Sequence, residues 1–104
     1  MKLQKNANRI TFQKANEMKS IEYKYIVYRD YVKVKSVIES CVNTIQLDNA
    51  NKWACNLVDK WYKYADNLSF RKSLELQELI DVVCEVLNNN IDKKHTELIE
   101  KNED

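Results

Sequence analysis

The amino-acid sequence predicts an all-α fold, and three observations carry that expectation. The 104 residues include no glycine and no proline, so tight turns, bulges and positive-φ positions lose the residues that usually fill them. Apolar residues recur at helical spacing over most of the length. The breaks between periodic stretches hold Asp48-Asn49, Asp66-Asn67 and Asn88-Asn89-Asn90, and asparagine is the next best residue for a left-handed position after a helix. Short connectors of this kind imply antiparallel neighbours. The expected architecture is a single domain over residues 1–104, a small antiparallel bundle of four helices, or five if the N-terminal segment stands apart.

Residues 3–18, with Leu3, Ala7, Ile10, Phe12 and Met18, form a weakly amphipathic helix expected to dock late or to be mobile. A long helix then spans about Ser20 to Leu47. Its apolar row begins at Tyr23, Val27 and Tyr31 and continues through Val34, Val37, Ile38, Cys41, Val42 and Ile45. The competing reading is a β-hairpin, because Ile21–Tyr28 and Val32–Val37 are rich in Tyr, Val and Ile with alternating charge. Against it, Arg29-Asp30 supplies neither Gly nor Asn for a two-residue turn.

The clearest element is Ala50–Leu68. Ala50, Trp53, Ala54, Leu57, Val58, Trp61, Tyr64, Ala65 and Leu68 share one face, with Lys52, Asn56, Asp59, Lys60 and Lys63 opposite. Asp48 or Asn49 is the expected N-cap, offering a side-chain oxygen to free first-turn amides. Phe70–Leu87 follows, with Leu76, Leu79, Ile80, Val83 and Leu87 inward. A shorter helix from Ile91 places His95, Leu98 and Ile99 on its apolar side, before a frayed tail at 101–104.

Composition restricts function. Phosphate loops, nucleophile elbows and dinucleotide fingerprints all require glycine, so none can be built here. No apolar run approaches the ~20 residues of a membrane span, and Met1–Arg9 lacks the apolar region of a secretory signal. Three cysteines, Cys41, Cys55 and Cys84, fall within helical patterns and are expected to be reduced, buried thiols of a cytoplasmic protein. Twelve asparagines against three arginines match AT-rich coding, as in low-GC bacteria, their phages and plasmids, or some large DNA viruses. Charge is polarised: residues 1–35 hold nine Lys or Arg against three Asp or Glu, giving +6, and residues 36–104 hold eight against thirteen, giving −5. Such asymmetry suits a nucleic-acid face or a partner-docking face, unless the two ends neutralise each other.

No set of residues carries catalytic chemistry. The Glu75-x-x-Glu78-x-x-Asp81 run, with Glu85 beyond it, resembles one half of the magnesium site of all-helical nucleoside-triphosphate pyrophosphohydrolases. The second carboxylate pair is missing, because no Glu stands between Glu39 and Glu75. A zinc site would need Cys41, Cys55, Cys84 and His95 to converge without any Cys-x-x-Cys pair. A nucleophilic cysteine would need a position that lowers its pKa, such as a helix N-terminus. No metal, cofactor or enzymatic activity is therefore expected.

What remains is a surface. Within the long helix Ile21, Tyr25, Tyr28 and Val32 form a second apolar row, roughly 140° around from the first. A helix apolar on two faces must be covered on both. Either the N-terminal segment folds back over this row, or it contacts a second copy or another protein. Lys24, Arg29, Lys33 and Lys35 interleave with the tyrosines, an arrangement that can also stack bases and neutralise phosphates. The sequence thus points to a small non-enzymatic protein-binding regulator, adaptor or inhibitor of a phage, plasmid or other mobile element, forming a homo-oligomer or binding another protein. A nucleic-acid-binding regulator using the basic N-terminal third is the alternative.

Overall fold

A computed structural model describes the backbone of residues 2–103 and the side chains of residues 17–101. It contains three helices, α1 (Lys2–Ser40), α2 (Thr44–Asp66) and α3 (Phe70–Glu103), with no strand among the described residues. The all-α class is as expected, whereas the expected four or five helices are three. Residues 21–37 are helical, and no hairpin forms.

The contacts fix the topology. Tyr23 stacks on Tyr64 at 4.7 Å between ring centroids, and the Asp30 side chain meets Trp61, so α2 runs antiparallel to α1. Lys24 pairs with Glu75 and Lys94 reaches the Glu39 carbonyl, so α3 runs parallel to α1. The result is an up-down-up bundle, elongated to 76 × 16 × 15 Å because α1 and α3 overrun the 23-residue α2. The core consists of Val27, Val34 and Ile38 from α1, Cys41 just past its end, Leu47, Ala50, Ala54, Trp61 and Ala65 from α2, and Leu76, Ile80, Leu87 and Leu98 from α3.

Three boundaries differ from expectation. The long helix expected over Ser20–Leu47 ends at Ser40, and Asn43, not Asp48 or Asn49, caps α2. Asn43 is extended (φ −149°, ψ 168°) and its Oδ1 accepts from the Gln46 amide at 2.8 Å, while Gln46 Oε1 accepts from the Val42 amide at 2.9 Å. These two bonds satisfy orphan amides at both sides of the cap. Val42 and Ile45, expected in the first apolar row, are therefore exposed, at 73% and 72%.

The second difference is Asn88-Asn89-Asn90, expected as a connector and found inside α3. Each asparagine costs about 0.5 kcal/mol of helix propensity relative to alanine. Burial of Leu87 and Leu98 on either side recovers several times that. The continuous register turns Asn90 and Lys94 toward the bundle, and His95, expected on the apolar side, is exposed. Lys94 donates to the Glu39 carbonyl at 2.9 Å, placing a cation where the last carbonyls of α1 lack intrahelical partners.

The third is the N-terminal segment. Residues 3–18 are continuous with α1 rather than a separate helix, and α3 runs to Glu103. Leu3, Ala7, Ile10 and Phe12 lie outside the residues whose side chains are described. Asparagine also plays a different role from the one expected. No described residue has positive φ. Asn67 closes α2 in the right-handed region (φ −87°, ψ 0°), and the Asn67 and Leu68 amides donate to the carbonyls of Tyr64 and Ala65 at 3.1 Å, a tight i→i−3 ending that needs no left-handed residue.

Candidate protein-docking face

The α1 helix presents two rows of side chains. The inner row, Ser20, Tyr23, Val27, Asp30 and Val34, is buried or half-buried against α2 and α3. The outer row, Met18, Ile21, Tyr25, Tyr28 and Val32, stands two residues earlier at every step. Two residues turn an α-helix by about 200°, so the rows lie about 160° apart. Both alternate spacings of three and four, the mean 3.5-residue period of a coiled-coil seam. The outer row is 70%, 67%, 64%, 64% and 46% exposed from Met18 to Val32. Four of its members form the row expected from the sequence, and Met18 extends that row by the same alternation.

What fixes the outer row is the grip on the inner one. Trp61 is fully buried and Asp30 is 4% exposed. The Trp61 indole Nε1–H donates to Asp30 Oδ2 at 3.0 Å, with Lys60 Nζ at 3.9 Å and Arg29 at 3.5 Å from the same carboxylate. A buried carboxylate is tolerable only when its oxygens are satisfied, so this cluster locks the rotation of α1. Tyr23 and Tyr64 stack within 6° of parallel, and Lys60 Nζ lies 5.7 Å from the Tyr64 centroid.

The basic residues of α1 divide. Lys24 binds Glu75 at 3.6 Å, an oxygen shared with Lys72 at 3.4 Å. Those cations hold the Glu75 carboxyl below its ordinary pKa, Lys72 first and Lys24 after it, against a smaller opposing effect of burial. Arg29, Lys33 and Lys35 are exposed. By the 100° step, Arg29 and Lys33 lie on one side of the outer row and Lys24 on the other, while Lys35 takes the next position of the row beyond Val32. They form no single patch.

The acidic run of α3 is spread among partners and solvent. Besides Glu75, Asp81 accepts from the Tyr62 hydroxyl at 2.5 Å, and Glu78 and Glu85 are exposed. Among the described residues no group of three His, Cys, Asp or Glu side chains is placed to hold a metal ion, and no helix is long and apolar enough to cross a membrane. The Tyr62 hydrogen bond, then desolvation and the Asp81 charge, push its phenol from 10.0 up to about 12. The neutral phenol is thus favoured in the folded state, and its stabilising effect is complete below pH 10 and lost as pH rises from 10 to 12. Urea midpoints of wild type and Tyr62→Phe are expected to differ at pH 9 and to converge by pH 12; a constant gap across that window would count against the bond.

The cysteines do not all occupy the expected interior. Cys41 is buried and its thiol donates to the Val37 carbonyl at 3.2 Å. Cys55 is exposed, a correction to the expected buried thiol, because it stands one residue past Ala54 and outside the α2 core face. Cys84 is half-buried in the same shallow groove as Cys55 between α2 and α3. Its thiol pKa is raised, chiefly by burial and further by Asp81 and Cys55. At neutral pH a thiol reagent is expected to label Cys55 first, Cys84 more slowly and Cys41 only on unfolding, since the thiolate is the nucleophile. Peptide mass spectrometry over a labelling time course reads that order, and early labelling of Cys41 would contradict the core assignment.

Comparison of the chain with protein-family models, curated proteins and solved structures gives no match in any of the three. The functional reading therefore rests on the surface itself.

Proposed function

We propose that the chain is a small non-enzymatic regulator, adaptor or inhibitor that works by binding protein on the outward face of α1. The observation that carries this reading is the outer row: five consecutive seam positions, Met18 to Val32, filled by apolar or aromatic side chains and open to solvent. An exposed contiguous apolar row is unfavourable unless something covers it. Tyrosines suit such a surface, combining large area, two side-chain torsions and a polar tip. Burying Ile21, Tyr25, Tyr28 and Val32 contributes about 1.5–3 kcal/mol each. The gross gain of roughly 6–12 kcal/mol matches the cost of association. An asparagine-rich, arginine-poor composition suits a regulator carried by an AT-rich phage, plasmid or other mobile element.

Nucleic acid is the second reading, favoured by the exposed Arg29, Lys33 and Lys35. The two separate by experiment. Capture by the immobilised chain is expected to fail in Tyr25→Glu/Tyr28→Glu while the helical circular dichroism spectrum survives. Capture that persists in that variant, and falls with salt at a log–log slope near about −5, identifies nucleic acid as the ligand.

A further inference from the structure

We propose that the outward face of α1 pairs with the same face of a second copy of this chain, antiparallel, as a short two-stranded coiled coil with Tyr25 of each copy against Tyr28 of the other. This rests on the docking-face reading above and names its partner. The outer row can pair with itself in either direction, and its flanking charges choose between them. In an antiparallel pair centred between Tyr25 and Tyr28, Ile21 of one copy lies opposite Val32 of the other and Met18 opposite Lys35, whose methylene stem can cover it while the amine reaches water. One isologous interface results, closed by a twofold axis.

Charge chooses the direction and the register. The residues flanking the seam are Glu22 and Arg29 on one side and Glu17, Lys24 and Tyr31 on the other. In a parallel pair each flank meets the opposite flank of its partner five residues on, setting Glu17 against Glu22 and Lys24 against Arg29, all like charges. In the antiparallel pair each flank meets itself reversed, so Glu22 of each copy faces Arg29 of the other and Lys24 faces Tyr31. Sliding that arrangement by one heptad in either direction brings Glu22 against Glu22 or Arg29 against Arg29. Of these arrangements only the centred antiparallel register is free of like-charge contacts. Glu22 and Arg29 are both exposed, whereas Lys24 is drawn toward Glu75 of its own chain. With the inner row engaged by α2 and α3 on the far side of α1, the outer side is open to a partner helix.

Sedimentation equilibrium of the full chain at low salt tests this. The wild type is expected to dimerise reversibly, and Glu22→Arg to raise the dimer dissociation constant about tenfold by turning two attractive contacts repulsive. Arg29→Glu is expected to act likewise, and an equimolar mixture of the two variants to recover wild-type affinity as a heterodimer. Because Arg29 also touches Asp30, Glu22→Arg is the decisive single variant, with an unchanged helical melt as its control. Parallel pairing predicts the opposite sign, since the introduced guanidinium would then face Glu17 of the other copy, so tighter association by Glu22→Arg overturns the proposal. So does a wild type that stays monomeric at its highest soluble concentration. In that last case, capture of another protein that is lost in Tyr25→Glu/Tyr28→Glu would show that the docking face stands while self-pairing fails.

Discussion

Trp61→Ala is expected to cost about 3–5 kcal/mol, the range for removing a buried tryptophan, and more besides because it strands the Asp30 carboxylate. Small domains hold only about 5–15 kcal/mol in total, so this variant should lose most of its cooperative melt. Asp30→Leu leaves the Trp61 indole N–H buried without an acceptor, and Trp61→Phe leaves a buried carboxylate without its 3.0 Å donor. Each single change should cost about 1–3 kcal/mol. The double variant Asp30→Leu/Trp61→Phe removes both polar groups together, and the half-exposed Lys60 and Arg29 return to water. Its cost should fall short of the sum of the singles, with a coupling of about 0.5–3 kcal/mol. Urea unfolding of the four proteins measures it. Strict additivity would show that the Asp30–Trp61 bond does not hold α1 in register.

The other large effect falls on association. Tyr25→Glu/Tyr28→Glu places two carboxylates at the centre of the outer row, where a bound partner would exclude water. Losing two buried tyrosines forfeits at least about 3 kcal/mol of apolar burial, and each desolvated carboxylate adds to that. Complex formation, whether with a second copy or another protein, should weaken by more than about a hundredfold. Reversing Lys33 should change the rate of encounter and its salt dependence far more than the affinity. Isothermal titration or sedimentation, with stopped-flow association rates, separates the two. Equal losses from the tyrosine and the lysine variants would assign the binding to charge.

Much of the bundle was legible in the sequence because helical periodicity reports burial directly. The α2 core face of Ala50, Ala54, Trp61 and Ala65 follows from spacing alone, and the Arg29-Asp30 dipeptide disfavoured a hairpin for want of a turn residue. The two rows of α1 were also legible, since both carry apolar residues at seam spacing. The connector at 41–43 was not. The row from Val34 to Ile45 keeps helical spacing across a break marked only by Asn43, so periodicity ran through it, and the cap shows only in the paired bonds of Asn43 and Gln46. The Asn88–Asn90 run misled in the other direction, because local preference there is overridden by packing of Leu87 and Leu98. Asp30 gives no compositional sign of burial. Its signal is positional: it falls three residues after Val27 and four before Val34, in the buried register, where a carboxylate needs a buried donor. Trp61 is the donor it finds, and that pairing is a property of the folded chain alone.

As a proposed docking surface, the outer row of α1 should contribute nothing to the monomer's own core. The most direct test is urea unfolding of wild type and Tyr25→Glu/Tyr28→Glu at a dilution where both are monomeric, read by the fluorescence of Trp61 and Trp53. The two exposed positions predict coincident transitions, within about 0.5 kcal/mol. A loss of several kcal/mol in the variant would show instead that the row is covered inside the monomer and is no docking surface.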